Sequence, residues 1–355
     1  MRILLALVAL LLISCADPGV GRAGTVFDAH VTKVISTSTT GPSGGPVQQL
    51  EIELDGSLYR GDRVQTGWGG RSPINANGLL REGDRVLVTQ RRGDKDERIY
   101  TIEEVVRLPS LLPFVAMLVV ALLLVARLKG LSSLGGLAAS VGVFLLAIVP
   151  ALQRGDDPLV ATLVGTAIIL VITVYLVHGF NRKSTAALAG TLIALAVVAL
   201  LAAISLGAGH ITGLGSEEAV FLAVGTDYKV DLSRLVLAGV IVGSLGALVD
   251  MAVGQASTTF ELAAVDGNLR GRALYGSALN VGRDHIGSLV NTLALAYFGG
   301  ALPLIVLLSL GNSPLLVTIN SETIVVSILS VVIASIGLVC CVPVTTAIAV
   351  RLVRE

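Results

Sequence analysis

The sequence predicts an α-helical polytopic membrane protein, with about seven transmembrane helices following a small N-terminal exported all-β domain. Three observations predict it. The 355 residues are 54% hydrophobic but only 14% charged and 4% aromatic, so the apolar content is Leu, Val, Ala and Ile, a composition suited to lipid-facing helices. Residues 24–107 are polar and charged, whereas 108–355 consists mostly of long apolar runs. Residues 1–23 have the make-up of an export signal or signal anchor. The formal net charge is zero and no basic patch is interleaved with aromatics, which argues against nucleic acid as a partner and leaves the lipid bilayer as the first one.

In the leader, Arg2 supplies the positive charge and Ile3–Ile13 the apolar core, too short for a span of roughly 20 residues. Leu12-Ile13-Ser14-Cys15 resembles a bacterial lipobox, which would place a lipid on Cys15. The alternative is an uncleaved anchor with a chance cysteine. Both send residue 24 onward out of the cytoplasm.

Residues 24–107 read as β. Leu50, Ile52 and Leu54 alternate at strand period before the turn Asp55-Gly56, and Val86/Val88 and Tyr100/Ile102 alternate likewise. Gly61-Asp62-Arg63-Val64 recurs as Gly83-Asp84-Arg85-Val86, each copy a Gly-Asp turn feeding a strand. Residues 37–46, rich in Ser, Thr, Gly and Pro, form a loop. Four to six short strands over about 80 residues predict a small barrel of OB or SH3-like type. Arg-Gly-Asp triplets at Arg60–Asp62, Arg92–Asp94 and Arg154–Asp156 are read as turn residues rather than adhesion signals. His30 is read as structural or surface, and the domain as a binding or docking module for a protein partner.

Residues 108–355 form the transmembrane bundle, with spans near 110–128, 131–150, 159–179, 185–206, 234–253, 286–310 and 323–350. Arg127/Lys129, Arg182/Lys183, Arg270/Arg272/Arg283 and Arg351/Arg354 fall in every second loop, and acidic residues dominate the others despite Arg154, Lys229 and Arg234. The positive-inside rule makes the first set cytoplasmic, with 24–107 outside and the C-terminus inside. Cys340 and Cys341 point about 100° apart on a helix and read as packing residues.

Gly239, Gly243, Gly246, Asp250 and Gly254 share one face of the fifth span. The Gly239/Gly243 pair lets helices approach closely, so this face is expected to pack on protein and to turn Asp250 inward. Gln255 and Glu261 follow. Residues 254–285 read as a cytoplasmic loop, after which Asp284, Ser288 and Asn291 form a stripe on the sixth span, bordered by His285. Asp284 is also a candidate N-cap for that span. Gly299, Gly300 and Pro303 predict a kink or break. Polar groups in membrane spans are costly and point to function, and broken helices beside them suit transporter sites.

Asp250–Ser257, Glu261-Leu262 and Gly282–Thr292 (GRDHIGSLVNT), continuing through Leu293–Leu308, resemble the signature of the YibE/F-like family of bacterial membrane proteins. The resemblance implies a multi-pass plasma-membrane protein of poorly defined activity. It carries Asp250, Gly254, Gln255, Glu261, Arg283, Asp284, His285, Ser288 and Asn291 over as signature positions, and supplies no mechanism.

The favoured function is a permease for an ion or small polar solute, using Asp250, Gln255, Glu261, Asp284, His285, Ser288 and Asn291 near the cytoplasmic ends of spans five and six. Carboxylates with an imidazole bind a proton or a hard divalent cation, the latter as substrate and not as cofactor. The alternative is a non-enzymatic scaffold that docks partners through the β domain. An embedded hydrolase ranks last, since neither His-Glu-x-x-His nor Gly-x-Ser-x-Gly occurs.

Overall fold

A computed structural model of the chain describes residues 26–39, 45–55, 60–70, 74–92, 98–226, 229–311 and 314–354. The leader, with Cys15, lies outside them, as does much of the Arg92–Asp94 triplet. The chain divides into two compact units, one holding the strands and the first helix as far as Val125, the other running on from Ala126.

The first unit contains β1 (Val26–Ser38), β2 (Val47–Leu54), β3 (Arg63–Trp68), β4 (Arg85–Arg92), β5 (Arg98–Val105) and helix α1 (Leu108–Ala126). The strands form one antiparallel sheet in the order β3-β2-β1-β4-β5. The sheet curls so that its edges approach, and the Thr66 hydroxyl donates to the Tyr100 carbonyl at 2.8 Å. The expected alternation is met: Leu50, Ile52, Leu54, Val86 and Val88 are all fully buried. Both Gly-Asp repeats are turns, with Gly61 and Gly83 each at φ 91°, a conformation that glycine adopts without strain. Gln48 is a buried amide that sequence reading passes over. Its side chain donates to Leu80 O at 3.0 Å and accepts from Leu80 N at 2.8 Å, so it serves as a strand partner for a loop residue.

The second unit holds α2 (Leu128–Val143), α3 (Val149–Gln153), α4 (Pro158–His178), α5 (Arg182–Gly209), α6 (Glu217–Gly225), α7 (Leu232–Val265), α8 (Gly271–Leu310), α9 (Leu315–Ile319) and α10 (Glu322–Arg354). With α1, and with α2 and α3 counted as one path, seven helices among the described residues are long and apolar enough to cross a membrane. The chain is therefore a multi-pass membrane protein. A π-helical turn, Phe144–Ile148, joins α2 to α3, with Val149 N–H donating to Phe144 O. Ile148 is tucked against Gly165 of α4, where any side chain would collide with it.

Helices α5, α7 and α10 pack on one another, α4 joins α5 and α7, α2 lies on α4, and α8 lies on α7 and α10. Caps fix the starts: Asp157 accepts from Leu159 and Val160 N–H, Asn181 from Ser184, and Asp231 from Arg234. Arg234, an exception to the loop-charge pattern, pairs with Asp157 and with Asp231. Glu322 accepts from the Thr212 hydroxyl and from Gly213 N–H, each at 2.6 Å, and so ties the start of α10 to the loop after α5.

Three expectations are corrected. Residues 254–285 are not a loop: α7 and α8 continue as a helical hairpin joined by residues 266–270. With 34 and 40 residues, these helices run roughly 51 and 60 Å at 1.5 Å per residue, well beyond the hydrocarbon. The segment is too polar to register as a span, yet Leu274, Ala278 and Gly282 keep a buried edge at helical spacing. Asp284 consequently sits inside α8 and caps nothing. Third, α8 is uninterrupted through Gly299, Gly300 and Pro303, so no break occurs there.

Gln255 holds the hairpin to the core. It is 2% exposed, and its Nε2 donates to Ala278 O at 2.9 Å and to Thr346 Oγ1 at 2.7 Å. A side chain on Gly282 would stand 2.5 Å from Val342 Cγ1 and 2.6 Å from Gln255 Oε1, so glycine permits this approach. Gln255→Leu is expected to lower the unfolding free energy by about 1–3 kcal/mol, the cost of stranding buried partners, and Gly282→Leu to lower it further. Thermal melts of the purified protein check both, and unchanged melts would remove Gln255 and Gly282 from this role.

Candidate functional site: a cleft between three spans

The face that α7 buries is its large apolar one. Leu237, Ile241, Leu248 and Met251 are each at most 2% exposed and pack in the core with residues of α5 and α10. The opposite face, with Gly239, Gly243, Gly246, Asp250 and Gly254, is exposed within the chain. That face is therefore not close-packed within the chain as expected, although Gly246 and Asp250 look toward neighbouring helices across a cleft. Of its glycines, only Gly243 lies against another helix, near the Tyr297 hydroxyl of α8.

What the glycine face does is open a cleft. A cavity of about 750 Å³ lies between α2, α4 and α7. Gly246 forms part of its wall with no side chain to fill it, and Gly136 brings α2 close to Val177 of α4. Most of the wall is apolar, including Leu137, Phe144 and Val249. Among its polar groups, Ser140 donates to Gly136 O at 2.9 Å and Thr173 to Ile169 O at 2.7 Å, so both hydroxyls are satisfied within their own helices. Asp250 and His178 also line the cleft. Among the described residues neither of their side chains makes a hydrogen bond, and the charges of Lys183, Lys129 and Asp250 all act on His178.

His178 was not singled out from the sequence. It ends α4 beside Asn181, Arg182 and Lys183, so the pattern that could have found it is depth: it adjoins the same basic side of the bundle as Asp250. Its neighbour Phe180 stacks on Tyr175 at a centroid distance of 4.3 Å.

The predicted polar set does not assemble. Asp250 lines the cleft, while Gln255 is the buried tie of the hairpin. Glu261 pairs with Lys183 Nζ at 3.6 Å, linking the end of α7 to the start of α5. Asp284, His285, Ser288 and Asn291 lie on the exposed face of α8, and none of them lines the cleft. Among the described residues no three of the His, Cys, Asp and Glu side chains are grouped to hold a metal ion. Cys341 is buried against Leu248 O at 3.8 Å, as a packing residue.

Because the Glu261–Lys183 pair is solvent-facing, Glu261→Gln is expected to change stability by less than about 1 kcal/mol. A melt displaced well beyond that would show that the pair holds the helix ends together.

A sequence model described as YibE/F-like protein matches residues 114–355. No curated protein and no solved structure matches the chain.

Proposed function

The chain belongs to the YibE/F-like family, and from that premise we propose that it is a plasma-membrane permease for an ion or small polar solute, with Asp250 and His178 as its polar site. The observation that carries this reading is the cleft itself. A carboxylate and an imidazole line one apolar-walled space between three spans, where ionisable groups are costly unless they serve a pathway. The glycines keep the space open, and the hydroxyls are already satisfied by backbone. Binding capacity therefore resides in Asp250 and His178, which suit a proton or a cationic or hydrogen-bonding solute. A divalent cation would find two side-chain ligands here and would complete its shell with water.

By the distribution of loop charges, the polar end of the cleft, beside Lys129 and Lys183, opens toward the cytoplasm, and the β domain lies outside. No Gly-x4-Gly-Lys-[Ser/Thr] loop occurs, so an ion gradient or a partner would drive the flux.

The purified chain in proteoliposomes tests the reading, with uptake followed for protons, Mn²⁺ and a panel of small polar metabolites. Asp250→Asn and His178→Ala should each reduce the transported flux at least tenfold, while Glu261→Gln should leave it within twofold. Undiminished flux in both cleft variants would exclude the cleft as the pathway.

A second reading is supported by the sheet. Where β3 and β5 approach, a groove of about 620 Å³ is lined by Gln65, Thr66, Trp68, Tyr100 and Glu103. Such a partly open seam suits a scaffold that docks a partner there, as a partly open OB-type barrel does. On that reading, the β domain on an unrelated membrane helix restores the phenotype of a deletion strain. If only the bundle with an intact cleft restores it, the scaffold reading fails.

A further inference from the structure

The outer face of α8 carries a pattern that neither the cleft nor the hairpin uses. Asp284, Ser288, Asn291, Leu295, Phe298, Leu302 and Ile305 recur at alternating spacings of four and three residues, and every one of them is exposed. This is the seam of a left-handed helix pair, in which two helices meet along a 3.5-residue repeat. The most apolar stretch of α8 has none of its residues buried within the chain. Among the described residues, the side chains of Asp284, His285, Ser288 and Asn291 have no hydrogen-bond partner. Ser288 and Asn291 adjoin the apolar stretch of α8, where polar groups facing acyl chains are costly.

We propose that this face pairs with the same face of a second copy of the chain, about a two-fold axis along the membrane normal. The occupant must supply donors and acceptors at the depth of Ser288 and Asn291. Helix α1 cannot, because every residue of α1 after Ser110 is apolar. A second copy does so by identity. Asn291 is both donor and acceptor, so two copies at one depth bond to each other, and so do two serines.

The charges also match. At 100° per residue, Asp284 lies about 40° to one side of Ser288 and His285 about 60° to the other. In a parallel two-fold pair, the left flank of one helix meets the right flank of its mate. Asp284 of each copy therefore faces His285 of the other, giving two carboxylate–imidazole contacts across one seam. Gly299, next to Phe298, leaves room for close approach farther along. The seam is distinct from the cleft between α2, α4 and α7, so the pairing does not depend on the permease reading.

Cysteine scanning of the full chain in native membranes tests the proposal, with the unsubstituted chain as the background for its own cysteines. Under mild oxidation, Ser288→Cys, Asn291→Cys and Leu295→Cys should each give a disulfide-linked dimer at least fivefold above background. Ile286→Cys and Leu293→Cys, on the inner side of α8, and Val171→Cys, on α4, should stay at background. In nanodiscs, Asn291→Leu should reduce the dimer fraction at a fixed protein-to-lipid ratio. Asp284→Lys should reduce it too, and the exchanged pair Asp284→His with His285→Asp should restore it. Cross-linking without this periodicity overturns the proposal, as does a chain that stays monomeric in nanodiscs. So does a cross-link between Ser288→Cys and Phe114→Cys within one chain, which would make α1 the occupant.

Discussion

The arrangement depends on which side of α7 is turned to the core. Leu237, Ile241, Leu248 and Met251 bury completely or nearly so against α5 and α10. In a bilayer no hydrophobic drive distinguishes core from lipid, so close packing and hydrogen bonding decide the matter. The large apolar stripe interlocks with α5 and α10, where Leu248 of α7 and Val198 of α5 both sit against Gly337 of α10. Once that face is committed, the glycines and Asp250 must look the other way, and their missing side chains leave space instead of making contact.

The hairpin follows from the same commitment. Gln255 is on the buried side of α7, one turn beyond Met251, and needs partners there. It finds them in Ala278 O and Thr346 Oγ1. Those two bonds and the bare backbone of Gly282 hold α8 against α7 and α10 along one edge. The polar residues at 284, 285, 288 and 291 are thereby left on the outer edge. The cleft and the outer seam of α8 are thus two consequences of one packing decision, on different sides of the bundle.

Asp250 and His178 come from helices separated by more than fifty residues of chain, and their shared space is created by Gly246, by Gly136 and by the π-turn that draws Ile148 onto Gly165. In the unit that holds the sheet, Gln48 performs a task like that of Gln255. It is a buried amide that satisfies the backbone of a segment outside any ladder, and it fixes a loop without adding to the apolar core.

The seven apolar runs, the strands with buried alternate residues and the two Gly-Asp turns were all legible in the sequence, because each is a local property. Hydropathy over one helix length, period two along a strand and a glycine at positive φ need no knowledge of distant chain. The family signature was legible for the same reason. Which face of α7 and α8 turns inward was not. Each helix carries one apolar stripe and one small or polar stripe, and either can pack in a membrane. The choice rests on surfaces of α5 and α10 that lie far along the chain. Tertiary structure alone therefore separated Gln255 from Asp250, placed His178 beside the latter, and left the acidic and amide groups of α8 on the outside.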